Sequence, residues 1–251
     1  MPGAGRPLED AVEPRPARLS ALMRVAMRAE HDTTRQSPFM ANLLAGRLGT
    51  EAFTALSRQL WFVYRELEVA ATALADHPLL RPLLDPALSR IPALERDLAH
   101  LDGPSWRPAL VPSRATRVYC DRVREVARTW PGGYVAHHYT RYMGDLAGGQ
   151  IVRDIAATAW GHVHEGALFY HFDQVADPPA YRRRYRDVLD TLPLGDDERQ
   201  RIAREVTHAF HLNKAMFRDL ATAHTPTGPG RPPQVRIFLG QACGLVPQVI
   251  P

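Results

Sequence analysis

The stretch Tyr139 to Gln150, YTRYMGDLAGGQ, places three glycines, a carboxylate and an arginine inside what otherwise has the spacing of a helix interior. An interior glycine costs a helix roughly 0.5–1 kcal/mol relative to alanine, so Gly144, Gly148 and Gly149 together give up about 2–3 kcal/mol. Something must need a helix without side chains. One candidate is close approach of a second helix, because Gly144 and Gly148 lie four residues apart on one face. The other is a flat, bulky ligand lying directly on the backbone, with Asp145 beside the glycine face supplying a polar group where chemistry occurs.

His31 is the second group that could do chemistry. It lies near the end of the periodic run LSALMRVAMRAEH, and Arg24 and Arg28, seven and three residues before it, share its face. A histidine there can simply favour a helix C-terminus. It can also bind haem iron through neutral imidazole while the arginines meet carboxylates at the macrocycle edge. A further basic pair, Arg182 and Arg186, falls on one helical face of AYRRRYRDVL, which taken alone fits a solvated face equally well.

The elements that must position these groups are helices. Apolar residues recur at intervals of three and four, as in Leu19, Leu22, Met23 and Ala26, and in Phe53, Leu56, Leu60, Val63 and Leu67. The runs Ser113 to Trp130, Tyr134 to Trp160 and Asp196 to Leu220 continue the pattern, and strand-like alternation is hard to find. Breaks are expected at His77-Pro78, Gly103 to Pro112, Pro131 to Gly133, Pro178-Pro179 and Pro193 to Gly195. Seven or eight helices in one all-α domain follow, over residues 18–222. Residues 1–17 and 223–251, rich in proline and without a hydrophobic period, are expected to be poorly ordered tails.

Composition narrows the function classes. A net charge of +4 invites a nucleic-acid partner, but the arginines are dispersed and no zinc-finger or RNA-binding signature accompanies them. A small anionic ligand or an acidic protein partner accounts for the charge as well. Cys120 and Cys243, far apart, make neither a disulfide framework nor a thiolate metal site, which fits a reducing cytoplasm. No apolar run reaches the length of a membrane span, and the N-terminus lacks the apolar core of a signal peptide.

On these residues the chain resembles the haem oxygenases, over about residues 18–222. In that family a proximal histidine precedes a Phe-Met pair opening the second helix, as His31 precedes Ser37-Pro38-Phe39-Met40, and the distal helix resembles RYMGDLAGGQ. The resemblance implies haem clamped between a proximal helix bearing His31 and a distal helix kinked at Gly144 to Gly149. It implies oxidative opening of haem with dioxygen and an external electron donor of the ferredoxin or flavoprotein reductase type, giving biliverdin, carbon monoxide and ferrous iron. Backbone at Gly144 and Gly148 would leave room for iron-bound oxygen and steer it toward one meso carbon, with Gly149 and Phe210 also against the haem. Asp145 would orient a water network delivering a proton, extended by Tyr64, Arg141, Tyr142 and Asn213. Arg24, Arg28, Tyr139, Arg182 and Arg186 would surround the propionates.

Two departures from the family pattern stand out. Lysine is frequent at the positions of Arg24 and Arg182, so the charge is kept while propionate geometry changes. Glutamate is common four residues after the proximal histidine, where this chain has Arg35. An arginine cannot accept a hydrogen bond from imidazole, so His31 would donate to water or backbone and be a more neutral ligand.

Other readings compete. The same fold with His31 could carry or sense haem without degrading it. A di-iron bundle would use Glu205 and His208 as a Glu-x-x-His element, but needs a second one that is absent. Gly148-Gly149-Gln150 resembles the tripeptide of peptide-release factors, which belongs on an exposed loop and not in a periodic helix.

Overall fold

A computed structural model describes residues 17–162, 165–224 and 226, so all but the edges of the two expected tails lie outside the described residues. The described residues contain nine α-helical segments and no strand. They are α1 (Leu19–Arg35), α2 (Pro38–Leu44), α3 (Thr50–Ala73), α4 (Ile91–Asp102), α5 (Arg114–Thr129), α6 (Pro131–His138), α7 (Gly144–Trp160), α8 (Pro178–Thr191) and α9 (Asp196–Ala223). A π turn, Tyr139–Met143, joins α6 to α7 without a break, so eight helices result when this run counts as one.

Helix starts follow local chemistry. The Ser113 hydroxyl accepts from the Thr116 N–H at 3.1 Å to open α5, and the Asp177 carboxylate accepts from Ala180 N–H at 2.8 Å to open α8. Asp196, Asp197 and Glu198 occupy the first turn of α9, where the helix dipole favours negative charge. Gly161 ends α7 at φ +77°, a left-handed conformation suited to glycine.

Two long helices organise the core. The central helix α3 buries Phe53, Leu56, Leu60, Val63, Tyr64 and Leu67, and packs on α4, α5 and α9. The other, α9, packs on α1, α2, α5 and α6 and on the π turn. Around them, α2 and α8 each pack on both α1 and α7. The helix bearing His31 and the helix bearing the glycines are thereby held as two walls with common braces. No described helix is long and apolar enough to cross a membrane.

One expectation needs correction. The break expected at Pro131 to Gly133 is a helix start, with Pro131 in the first turn, where its missing N–H costs nothing. Gly132 and Gly133 serve packing there. A Cβ on Gly132 would stand 2.4 Å from Glu198 Oε1, and one on Gly133 2.4 Å from the Trp130 ring. The distal helix also carries a π turn at Tyr139–Met143, just before the glycines. Gly144 itself has helical φ −66° and ψ −47°. The widened turn is wholly buried, and its packing against α6, α7 and α9 outweighs the poorer π geometry.

Candidate functional site

Asp145 sits in the first turn of α7, and three other elements converge on it. Tyr64 from α3 donates its hydroxyl to the Asp145 carboxylate. Arg141 from the π turn stands with Nη2 3.4 Å from the same carboxylate oxygen and donates from Nε to the Tyr64 hydroxyl at 3.3 Å. Its Nη1 donates to Asn213 Oδ1 on α9 at 3.1 Å. The guanidinium also lies over the Tyr64 ring, 5.2 Å from the centroid. The sequence reading grouped these four residues, and the structure brings them together.

Burial sets the proton affinity of this cluster. The Asp145 side chain is 14% exposed, and desolvation pushes its carboxyl well above the usual carboxylate range. The same desolvation lowers Arg141. A carboxyl with raised proton affinity, oriented by a phenol and facing a guanidinium, is suited to holding a proton.

Tyr142 is placed differently from the other members. Its ring meets Tyr64 edge-on at 5.4 Å and lies 4.4 Å from the His138 ring, but its hydroxyl makes no hydrogen bond to Tyr64, Arg141, Asp145 or Asn213. It supports the network by packing. Phe210 is buried on α9, three residues before Asn213.

The three distal glycines divide into two kinds. A Cβ on Gly144 or Gly148 would meet nothing within 4 Å, so no neighbouring helix requires these glycines. That removes the helix-approach explanation and leaves a face that can receive a flat group. Gly149, expected against the same ligand, instead faces Tyr170, whose ring and backbone oxygen would both stand 3.3 Å from a Cβ. Helix periodicity explains the difference, since residue 149 is turned about 100° from residue 148.

On the opposite wall, His31 lies four residues before the end of α1 and not at its terminus. Its side chain is 39% exposed, and the Asp32 carboxylate stands 3.6 Å from Nδ1, beyond hydrogen-bond length. Arg35 is the last residue of α1. Arg24 and Arg28 are exposed on the same helix, and Arg182 and Arg186 are half-buried on α8. The two helices are joined where Ser20 donates from its backbone N–H and its hydroxyl to Asp190, at 2.9 and 2.8 Å. Arg24 lies one turn beyond that joint on α1 and Arg186 one turn before it on α8. Tyr139 is buried in the π turn, its ring 6.1 Å from that of Tyr185.

Behind the distal segment lies a second polar cluster that sequence reasoning missed. His137 Nε2 is 2.9 Å from Glu205 Oε1, and Arg122 grips the same carboxylate with Nε and Nη2 at 2.8 and 2.7 Å. The carboxylate partner requires the proton on Nε2. Burial alone would raise Glu205, but hydrogen bonds from Arg122 and His137 hold it down at about 2. Next door, His138 Nδ1 is 2.8 Å from the Tyr185 hydroxyl, and burial lowers its pKa to about 3. His137 lies one turn before Arg141, a spacing that could have signalled it. Glu205, which the sequence suggested for a di-iron centre, is fully engaged by these partners. Among the described residues no three His, Cys, Asp or Glu side chains are grouped to hold a metal ion.

A fold of this topology has known counterparts. The family model described as Heme oxygenase matches residues 17–219. The heme oxygenase of Porphyra purpurea is 36% identical over 191 residues, 76% of this chain and 81% of that protein. Heme oxygenase 1 of Synechocystis is 36% identical over 202 residues, covering 80% and 84%. Among solved structures, heme oxygenase-1 from Synechocystis in complex with heme superposes with a TM-score of 0.80 at 35% identity, over 82% of this chain and 94% of that one. Heme oxygenase from Leptospira interrogans gives 0.78 at 31% identity, over 81% of this chain and 100% of that one. The chain belongs to the haem oxygenase family.

Proposed function

We propose that this protein opens the haem macrocycle oxidatively, consuming dioxygen and reducing equivalents and yielding biliverdin, carbon monoxide and ferrous iron. The observation that carries the reading is the pairing of two glycines with open Cβ positions, Gly144 and Gly148, with a buried carboxyl, Asp145, held by Tyr64 and by Arg141, which Asn213 holds in turn. A protein that only stored haem would gain nothing from a proton-holding group fixed beside that face.

In this reading haem lies between α1 and α7, with the neutral imidazole of His31 on the iron. Bound haem supplies the iron that binds dioxygen and the carbon that is oxidised. Gly144 and Gly148 keep side chains out of that space, and their backbone limits which meso carbon is reached. Asp145 holds a proton and the water that carries it, Tyr64 and Arg141 fix the carboxyl, and Asn213 holds Arg141. Tyr142 packs behind Tyr64, and Phe210 supplies apolar wall. The guanidinium groups of Arg24, Arg28, Arg182 and Arg186, with the Tyr139 hydroxyl, orient the macrocycle through its propionates.

Electrons come from outside the chain, from a ferredoxin or a flavoprotein reductase. The net charge of +4 favours encounter with an acidic partner of that kind. The test is incubation of purified protein with haem, dioxygen and a reductant, followed by visible spectroscopy and a carbon monoxide trap. Conversion to a bilin with carbon monoxide release is expected. A stable haem spectrum under the same conditions would make the protein a carrier.

A further inference from the structure

Two consecutive residues of α9 reach to opposite walls of the site. Asn213 accepts from Arg141 on the distal side. Lys214 turns toward the proximal helix, where Nζ donates to Glu30 Oε2 at 2.5 Å and to Thr33 Oγ1 at 3.3 Å. His211 Nε2, one turn earlier on α9, stands 3.6 Å from the other Glu30 oxygen. Glu30 and Lys214 are only 17% and 23% exposed, so the pair is better shielded from water than an ordinary surface pair.

The anchoring of α1 is uneven along its length. Its fully buried residues, Leu19, Ser20 and Met23, all lie in the first half, and Ser20 is bonded to Asp190. The half that carries His31 has no fully buried side chain. Glu30 supplies the charged anchor there, and it is adjacent to His31. Neighbouring residues on a helix differ by about 100° in direction, so fixing Glu30 against α9 fixes the direction of His31. A side-chain tip lies about 5–6 Å from the helix axis, so a rotation of about 10° moves it about 1 Å, enough to spoil an iron–nitrogen bond. Lysine suits the position, because an ammonium with three rotatable donors serves a carboxylate and a hydroxyl together. Lys214 is the only lysine of the chain; the other cationic side chains are arginines and histidines.

We propose that the Lys214–Glu30 ion pair is a positioning device that sets the rotation of α1 and so aims His31 at the haem iron, with α9 holding both walls through adjacent residues. This rests on the reading of His31 as the axial ligand. Lys214→Met keeps the aliphatic stem and removes the charge, and Glu30→Gln keeps the shape. Each variant should remain folded, bind haem about tenfold more weakly, and show a shifted or broadened iron–histidine stretching band in resonance Raman spectra of the ferrous haem complex. The exchanged pair, Glu30→Lys with Lys214→Glu, should recover much of both. Wild-type affinity together with an unchanged band in Lys214→Met would overturn the proposal, whatever the melting temperature does. Loss of the band in His31→Ala tests the underlying reading separately, because its survival there would remove His31 as ligand without reference to Lys214.

Discussion

The hydroxyl of Tyr64, on the central helix α3, donates to the carboxylate of Asp145, at the start of α7, across 81 residues of sequence. That bond ties the most deeply packed helix to the glycine-bearing one. With Tyr64 fully buried, the position of the carboxyl is set by the core and not by a mobile surface. Asp145→Ala should leave haem affinity within about twofold, because no direct ligand is lost. Bilin yield in a single turnover should fall steeply, with peroxide released instead. Tyr64→Phe keeps the ring packing, loosens the carboxyl, and should give an intermediate yield. Wild-type rate and yield in Asp145→Ala would leave the glycines as a purely steric device.

His31→Ala should abolish the axial nitrogen signature in low-temperature electron paramagnetic resonance of the haem complex, and added imidazole should restore it. The restored complex tests whether the position, and not the fold, was lost. An unchanged signature would point to another histidine.

The glycines separate packing from ligand contact. Gly148→Ala places a methyl where nothing stands within 4 Å and recovers about 0.5–1 kcal/mol of helix propensity. The ligand-free protein should therefore melt no lower than wild type, while bilin formation slows or its isomer ratio shifts. Gly149→Ala instead presses on Tyr170 and should lower the melting temperature. If both variants behaved alike in both measurements, the division into two kinds of glycine would be wrong.

Glu205 provides a pH test. Its folded-state value of about 2 lies below the ordinary 4.5, because the hydrogen bonds from Arg122 and His137 outweigh burial. A depressed carboxylate stabilises the fold fully above its unfolded-state value, and that contribution disappears as pH falls through the folded one. In urea titrations the stability gap between wild type and Glu205→Gln should be steady above about pH 6 and narrow from about 4.5 downward. A gap that does not change with pH would place the role of Glu205 in packing alone.

Much of this protein was legible in the order of its residues, because some signals are local. The 3.6-residue period of Phe53, Leu56, Leu60, Val63 and Leu67 specifies a helix with one buried stripe, and the cost of three interior glycines marks a helix shaped for something other than stability. His31 with Arg24 and Arg28 on one face, and Asp145 among the glycines, are likewise readable from spacing. Tertiary packing decided the rest. Whether a glycine meets a ligand or a ring depends on what another segment brings to it, so Gly149 and Gly148 differ although they are neighbours. Placement of the widened turn at Tyr139–Met143 reflects burial on all sides, which no local propensity encodes. The partners of Glu205 and Glu30 lie 68 to 184 residues away in sequence. An ion pair is chosen by which side chains share a shielded space, and only the folded chain determines that.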